Sequence, residues 1–230
     1  METGVMVELL RKVPLFSTLK DEELEAINKV TINKKFLKDQ IILLENEEGD
    51  TLFVIDHGKV KVTSFSEHGK EVIFSIMYDG DFFGDMSLLD GKPRSASVVA
   101  LEDSIIKLIR RPDFIKLLEK HPGIGLKLLE ELTSRLRKAD ERIESLALLD
   151  VTGRIAGIIL QLAEDKSTVT AEGTVIKSRP THQELANMAG TTRETVTRIL
   201  KQLERKGYIS MNGKDLTISD PEVFKRDLYL

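Results

Sequence analysis

Polar and apolar positions along the 230-residue chain change period as it proceeds, and each change predicts a different kind of element. The opening segment, VELLRKVPLFSTLKDEELEAINKV, has the mixed spacing of short helices, interrupted at Pro14, whose ring removes a backbone donor. From about Phe36 to Leu108 the pattern turns to β-type runs: LFVI, KVKVTSF, EVIFSIM, SASVVAL and SIIKLI. Gly49, Gly58, Gly69, Gly80 and Gly91 separate these runs at even spacing, and hairpin turns with positive φ are the default use of such glycines. Short strands with regular turn signals predict a compact antiparallel roll or barrel.

Pro122 then opens a long helix, its fixed φ suited to a first turn. Leu129, Leu132, Leu136, Ala139, Ile143 and Leu146 recur at alternating steps of three and four, which is the a/d seam of a helix with a partner. Glu130, Glu131, Arg135, Arg137, Lys138, Glu141 and Arg142 fill the intervening positions and leave only a narrow apolar stripe. A helix lying on its own domain is the alternative, since the seam is short for an isolated coiled coil. The narrow stripe favours a homodimer.

LLDVTGRIAGIILQLAED follows, with Asp150 or Thr152 able to cap a new helix, so a break falls near residue 150. A β-like stretch, TVTAEGTVIKS, precedes two helices and a hairpin, YISMNGKDLTI, in which Asn212-Gly213 is the favoured pair for a type I′ turn. Thr181 with Glu184, and Thr191 with Glu194, have capping-box spacing. Gly190 can end the first of the two helices, and Ala186 allows a close crossing. Val196, Ile199, Leu200 and Leu203 form a docking stripe, opposite Arg193, Glu194, Thr197, Arg198 and Lys201. Two helices, a tight turn, a polar second helix and a wing-like hairpin match a winged helix-turn-helix. The expected fold is therefore α+β: a β-roll sensor over residues 1–112, a dimerisation helix over 113–149 and a DNA-binding domain over 150–230.

Composition narrows the chemistry. The chain has no cysteine, which excludes disulfides, thiolate zinc sites, iron–sulfur clusters and a cysteine nucleophile. There is no GxSxG, GxxxxGK[ST] or HExxH, so nothing points to an enzyme. METGVMVELLRKV lacks the build of a signal peptide, and charges break every long apolar stretch, so a cytoplasmic protein with no membrane partner is expected. The formal net charge is -4, yet from Val151 onward 12 Lys/Arg face 10 Asp/Glu, and the local patch decides nucleic-acid binding. Arg193 and Arg198, about one turn apart, are the best candidates for guanine edges. Arg205 and Lys206 are expected as solvated cations at the helix end.

FGDMSLLDGKPRSASVVA resembles the phosphate-binding cassette of the cyclic AMP receptor / fumarate–nitrate regulator family. LLDVTGRIA and TTRETVTRILKQLE are similar to that family's hinge and recognition helix, and the likeness spans essentially the whole chain. The resemblance implies a dimeric transcription regulator that binds an inverted repeat in double-stranded DNA, with TGTGA-like half-sites, and meets RNA polymerase. It implies DNA contacts at Thr181, Gln183, Thr192, Arg193, Glu194, Thr195, Thr197, Arg198 and Lys201. It implies effector contacts at Val62, Ser75, Met77, Gly84, Asp85, Met86, Arg94, Ser95, Arg135 and Asp140, with Arg94 and Ser95 on a phosphate.

No cofactor is required, and the implied effector is a cyclic nucleotide: cyclic AMP, cyclic GMP or cyclic di-GMP. Asp85 stands where nucleotide-binding members carry a glutamate for the ribose hydroxyl. Ala139 and Asp140 stand where cyclic AMP-binding members carry a threonine–serine pair facing adenine, while Thr133-Ser134 lies nearly two turns too early. Members without a nucleotide keep similar cassettes, in which the arginine only ties down the roll, and that is one alternative. A nucleotide-binding signalling subunit that contacts protein is another, and the residues from Thr181 to Lys201 argue against it. Haem sensing is a poor fit, because His57, His68, His121 and His182 offer no obvious ligand pair.

Overall fold

The structure, a computed structural model, describes residues 10–165 and 167–229. Residues 1–9, which hold the start of the first expected helix, lie outside these. The chain forms two compact units that divide within one long helix, the first ending at Leu136 and the second beginning at Arg137.

In the first unit a 3₁₀ turn at Pro14–Phe16 leads to helix α1 (Asp21–Val30). Strands β1 (Ile32–Phe36), β2 (Ile41–Leu43), β3 (Thr51–His57), β4 (Val60–Phe65), β5 (Glu71–Met77) and β6 (Phe82–Phe83) follow. Helix α2 (Asp85–Asp90) precedes β7 (Ser97–Ala100) and β8 (Ser104–Arg110), and α3 (Arg111–Lys120) leads into the long α4 (Pro122–Leu148). Two antiparallel sheets, ordered β1-β8-β3-β6 and β2-β7-β4-β5, make the roll.

Strand β3 shows why the run LFVI is apolar without a break. Successive side chains point to opposite faces, and both faces are covered. Phe53 and Ile55 join Val60, Met77, Phe83 and Ile106 inside the roll. Leu52 and Val54 pack outward against Leu24, Ile27, Phe114 and Leu128 of the helices. Gly58, Gly69 and Gly80 take positive φ as expected of turns, whereas Gly91, φ 70°, closes helix α2 with its N–H on Ser87 O and Gly49 has no positive φ. Its role is steric and belongs to the cassette described below.

On α4 only Ile124 and Leu128 are buried. Leu132 packs against the helix-side cluster. Leu129, Leu136, Ile143 and Leu146 are 62%, 63%, 66% and 54% exposed, so the apolar stripe stands open in the single chain.

The second unit holds α5 (Val151–Asp165), β9 (Ser167–Thr170), β10 (Gly173–Ile176), α6 (His182–Ala189) and α7 (Arg193–Arg205). It ends with β11 (Ile209–Asn212), β12 (Asp215–Ile218) and α8 (Pro221–Leu228). Of the two expected caps for α5, Asp150 is used: its Oδ1 accepts from Gly153 N–H at 2.8 Å. The sheet order is β11-β12-β10-β9. The expected Asn212-Gly213 turn is displaced by one residue. Asn212 pairs with Asp215 across the ladder, so Gly213 and Lys214 make the connection. Gly213 alone has positive φ, at 59°, the sign pattern of a type II′ turn. Among the described residues no helix is long and apolar enough to cross a membrane.

Candidate functional site

The cassette begins where β6 meets α2. Gly84 sits in the left-handed region, φ 81°, and opens α2. A Cβ there would lie 2.8 Å from Thr51 O and 2.9 Å from Arg94 Nη1. The buried Arg94 side chain donates from Nη1 to Gly84 O at 2.8 Å and from Nη2 to Thr51 O at 3.1 Å. Its guanidinium lies 5.6 Å from the Phe53 ring centroid, and Phe53 in turn stacks on Phe83 at 5.2 Å. Burial pushes the Arg94 pKa down from its usual value, against the pull of Asp50 and Asp85. A Cβ at Gly49 would stand 2.0 Å from Arg94 Nε. Gly49, read from the sequence as a turn residue, is instead the gap that admits the guanidinium.

Asp85 is buried, and its Oδ1 accepts from Arg135 Nη1 at 3.2 Å. Arg135 also donates to Phe82 O at 2.7 Å and to Glu131 Oε1 at 3.0 Å, with its guanidinium 4.5 Å from the Phe82 ring centroid. The fold thus brings Gly84, Asp85, Arg94 and Arg135 into one linked cluster. Two buried atoms in it, Arg94 Nε and Asp85 Oδ2, have no hydrogen-bond partner among the described residues.

Val62 and Ser75 are directly paired across β4 and β5, with Met77 two residues on. This places all three on one face, and Val62 and Met77 join the roll interior. Met86 is 56% exposed, and the Ser95 hydroxyl turns to its Sδ at 3.4 Å. Asp140 is exposed on the part of α4 that belongs to the second unit. Sequence reasoning passed over Thr51 and Phe53, because a backbone carbonyl and a core ring carry no motif.

In the second unit, Thr181 and Glu184 form the expected capping box. Glu184 N–H donates to Thr181 Oγ1 at 3.2 Å and Thr181 N–H to Glu184 Oε2 at 2.6 Å. Gly190, φ 64°, closes α6 with its N–H on Ala186 O. The second box is corrected. Thr191 N–H also bonds Ala186 O, at 3.0 Å, so Thr191 belongs to the turn. Thr192 is the cap of α7, accepting from Thr195 N–H at 3.3 Å. Glu194 is released from box duty. Bonds from its own backbone N–H and from the Thr192 hydroxyl, with Arg193 nearby, hold its carboxyl below the usual range.

Val196, Ile199, Leu200 and Leu203 are buried. Arg193, Glu194, Thr197, Arg198 and Lys201 line one shallow groove with Gln202 and Arg205. Arg205, expected only as a helix-end cation, therefore shares the polar face. Gln183 is exposed on α6 and donates to Asn187 Oδ1 at 2.9 Å.

Two arginines hold the end of α6. Arg142 of α4 donates to Met188 O, and Arg154 of α5 donates to Ala189 O at 3.0 Å and to Leu149 O at 3.0 Å. They supply donors to carbonyls that a helix end leaves without intrahelical partners. Arg154 lies within LLDVTGRIA, which the sequence marked only as hinge-like, and Arg142 stood only among the polar positions between the seam residues.

Two family models match the chain, one within each unit. Residues 33–121 match the cyclic nucleotide-binding domain, and residues 153–226 match the Crp-like helix-turn-helix domain. The chain is 30% identical over 221 residues to the CRP-like cAMP-activated global transcriptional regulator of Mycobacterium tuberculosis, covering 96% of this chain and 99% of the relative. It is 37% identical over 186 residues to the cAMP-activated global transcriptional regulator CRP of Salmonella typhimurium, covering 80% and 88%. Its fold is similar to that of FixK2 from Bradyrhizobium japonicum, with a TM-score of 0.77 at 21% identity over 87% of this chain and 98% of that one.

Proposed function

The chain belongs to the cyclic AMP receptor / fumarate–nitrate regulator family of transcription regulators, which are not enzymes, and on that premise we propose that it acts as a homodimer on inverted-repeat DNA under the control of a cyclic nucleotide. The observation that carries the effector reading is the buried pair of unpartnered atoms, Arg94 Nε and Asp85 Oδ2. A buried polar atom without a partner costs about 1–3 kcal/mol. A ligand that offers an anionic oxygen beside a hydroxyl satisfies both, and the phosphate and ribose hydroxyl of a nucleotide are such a pair. In this reading Ser95 joins Arg94 on the phosphate, and Val62, Ser75, Met77, Gly84 and Met86 shape the pocket. Arg135 orients the short Asp85 side chain, and Asp140 is the residue that the family resemblance assigns to the base.

The exposed face of α4 supports the dimer reading. Leu129, Leu136, Ile143 and Leu146 expose an a/d stripe, and a second copy of the helix is the surface with matching period. Two recognition helices then reach major grooves about 34–36 Å apart. Arg193, Glu194 and Arg198 read base edges. Thr181, Gln183, Thr192, Thr195, Thr197 and Lys201 set the position on the backbone. RNA polymerase is the partner that turns binding into regulated transcription.

A second reading has its own observation. Both Nη atoms of Arg94 are already bonded to main-chain carbonyls, which suits a cassette that only ties the roll together. Calorimetry of the full chain against cyclic AMP, cyclic GMP and cyclic di-GMP, with DNA binding measured in parallel, separates the two. Saturable binding that is lost in Arg94→Ala and coupled to DNA affinity supports the effector. Tight DNA binding with no heat from any of the three nucleotides selects the structural cassette.

A further inference from the structure

His182 is the single histidine of residues 137–230. Its ring joins the start of α6 to the recognition helix. Nδ1 lies 2.8 Å from Thr197 Oγ1, Nε2 lies 3.4 Å from Arg179 Nη2, and Thr197 Oγ1 lies 2.9 Å from Arg193 O. A guanidinium only donates, so Nε2 accepts here and carries no proton. The proton of the neutral ring therefore sits on Nδ1 and is donated to the Thr197 oxygen. Thr197 then gives its own proton to the Arg193 carbonyl. The bonds form one directed chain, Arg179 to His182 to Thr197 to the backbone of α7.

The surroundings favour that neutral ring. Burial first, then Arg179, Arg193 and Lys201, hold the His182 pKa below the usual histidine value. Arg179 comes from the segment before α6, and Arg193 and Lys201 come from α7. The wing reaches the same segment from the other side: Arg179 N–H donates to Lys214 O, and Asp215 accepts from Ser178 N–H. On α6 itself Glu184 is held in the capping box. Among the described residues no carboxylate is bonded to the ring.

We propose that His182 is a positioning residue for the recognition helix and that its ring takes up a proton when the DNA backbone docks. The proposal rests on the DNA-binding reading above. A duplex carries one negative charge per about 1.7 Å of axis. Placed against the groove of α7, it offsets the three cations that disfavour a charged ring and adds anions of its own. Protonation at Nε2 ends the bond from Arg179 and turns that nitrogen into a donor for a phosphate oxygen. The bond from Nδ1 to Thr197 is the same in both states, so α7 keeps its place.

The sign follows from linkage. The ring pKa is low in the free protein and higher in the complex, so binding consumes a proton. Affinity then rises as pH falls through the pKa of the complex and levels off below that of the free protein. A one-unit difference corresponds to roughly a tenfold change in affinity.

The experiment measures binding of the full chain to mixed-sequence double-stranded DNA at low salt between pH 5.5 and 8, for the native protein and His182→Gln. Glutamine keeps a polar side chain of similar reach and does not titrate, and a thermal melt confirms its fold. Nuclear magnetic resonance titration of the native His182 ring, free and with the duplex, reads the pKa directly. The expected result is a dissociation constant that drops about tenfold toward acid in the native protein, a flatter profile in the variant, and a ring pKa raised by the duplex. The same pH slope in both proteins, or a ring pKa that the duplex leaves unchanged or lowers, overturns the proposal alone. A native protein that binds duplex at no pH overturns the DNA-binding reading and this proposal together.

Discussion

Arg94 and Gly49 share one volume: the guanidinium of the first fills the space where a side chain on the second would stand, with Nε 2.0 Å from the position of a Cβ. The backbones are tied there as well, since Arg94 N–H donates to Glu47 O and Asn46 N–H to Arg94 O. The cassette arginine is thus positioned by a residue 45 places earlier in the chain.

Gly49→Ala should therefore expel the guanidinium and destabilise the protein by about 1–3 kcal/mol, the range of core overpacking. Denaturant unfolding measures it. In an Arg94→Ala background the same substitution should cost much less, because the two side chains no longer compete, and a double-mutant cycle reads that coupling. Equal costs in both backgrounds would remove the steric relationship.

Leu136→Glu should yield monomers. A charge at the centre of the α4 stripe would be buried against a second helix without a partner, at a cost of several kcal/mol. Sedimentation of native and variant protein decides it, since an intact variant dimer places the interface elsewhere.

Arg193→Ala and Arg198→Ala should each weaken binding to a TGTGA-type inverted repeat by about 1–3 kcal/mol and relax the choice at one guanine. Competition between sites that differ at single positions is the measurement. Uniform weakening on every sequence would assign these arginines to phosphates.

If Asp140 meets the base of a bound cyclic nucleotide, guanine should be favoured over adenine. The Asp140 carboxylate only accepts, and guanine presents an N1–H beside an exocyclic amine, whereas adenine sets a ring acceptor beside its amine. Charge-assisted bonds are roughly twice as strong as neutral ones. Calorimetry with cyclic GMP and cyclic AMP, on native protein and Asp140→Ala, tests it. A native preference for cyclic AMP, or a preference unchanged in the variant, takes Asp140 out of the pocket.

By itself the sequence determined whatever depends on neighbours within a few residues. The capping box of Thr181 and Glu184, the closing Gly190, the docking stripe of α7 and the heptad stripe of α4 all formed where local pattern put them, while of the two caps offered to α5 the structure uses Asp150. Helix caps and amphipathic faces are short-range physics, with partners one to four positions away. Tertiary structure decided the rest wherever two local options competed or a partner was distant. Thr191 was drawn into the α6 turn, so Thr192 capped α7. Pairing of Asn212 with Asp215 fixed the hairpin one residue later than its dipeptide suggested. The link of Asp85 to Arg135, the fit of Arg94 against Gly49 and the ring of His182 between Arg179 and Thr197 joined residues that no periodicity connects. Those contacts exist because sheet closure and helix docking bring remote segments within about 3 Å, and a hydrogen bond is decided at that distance.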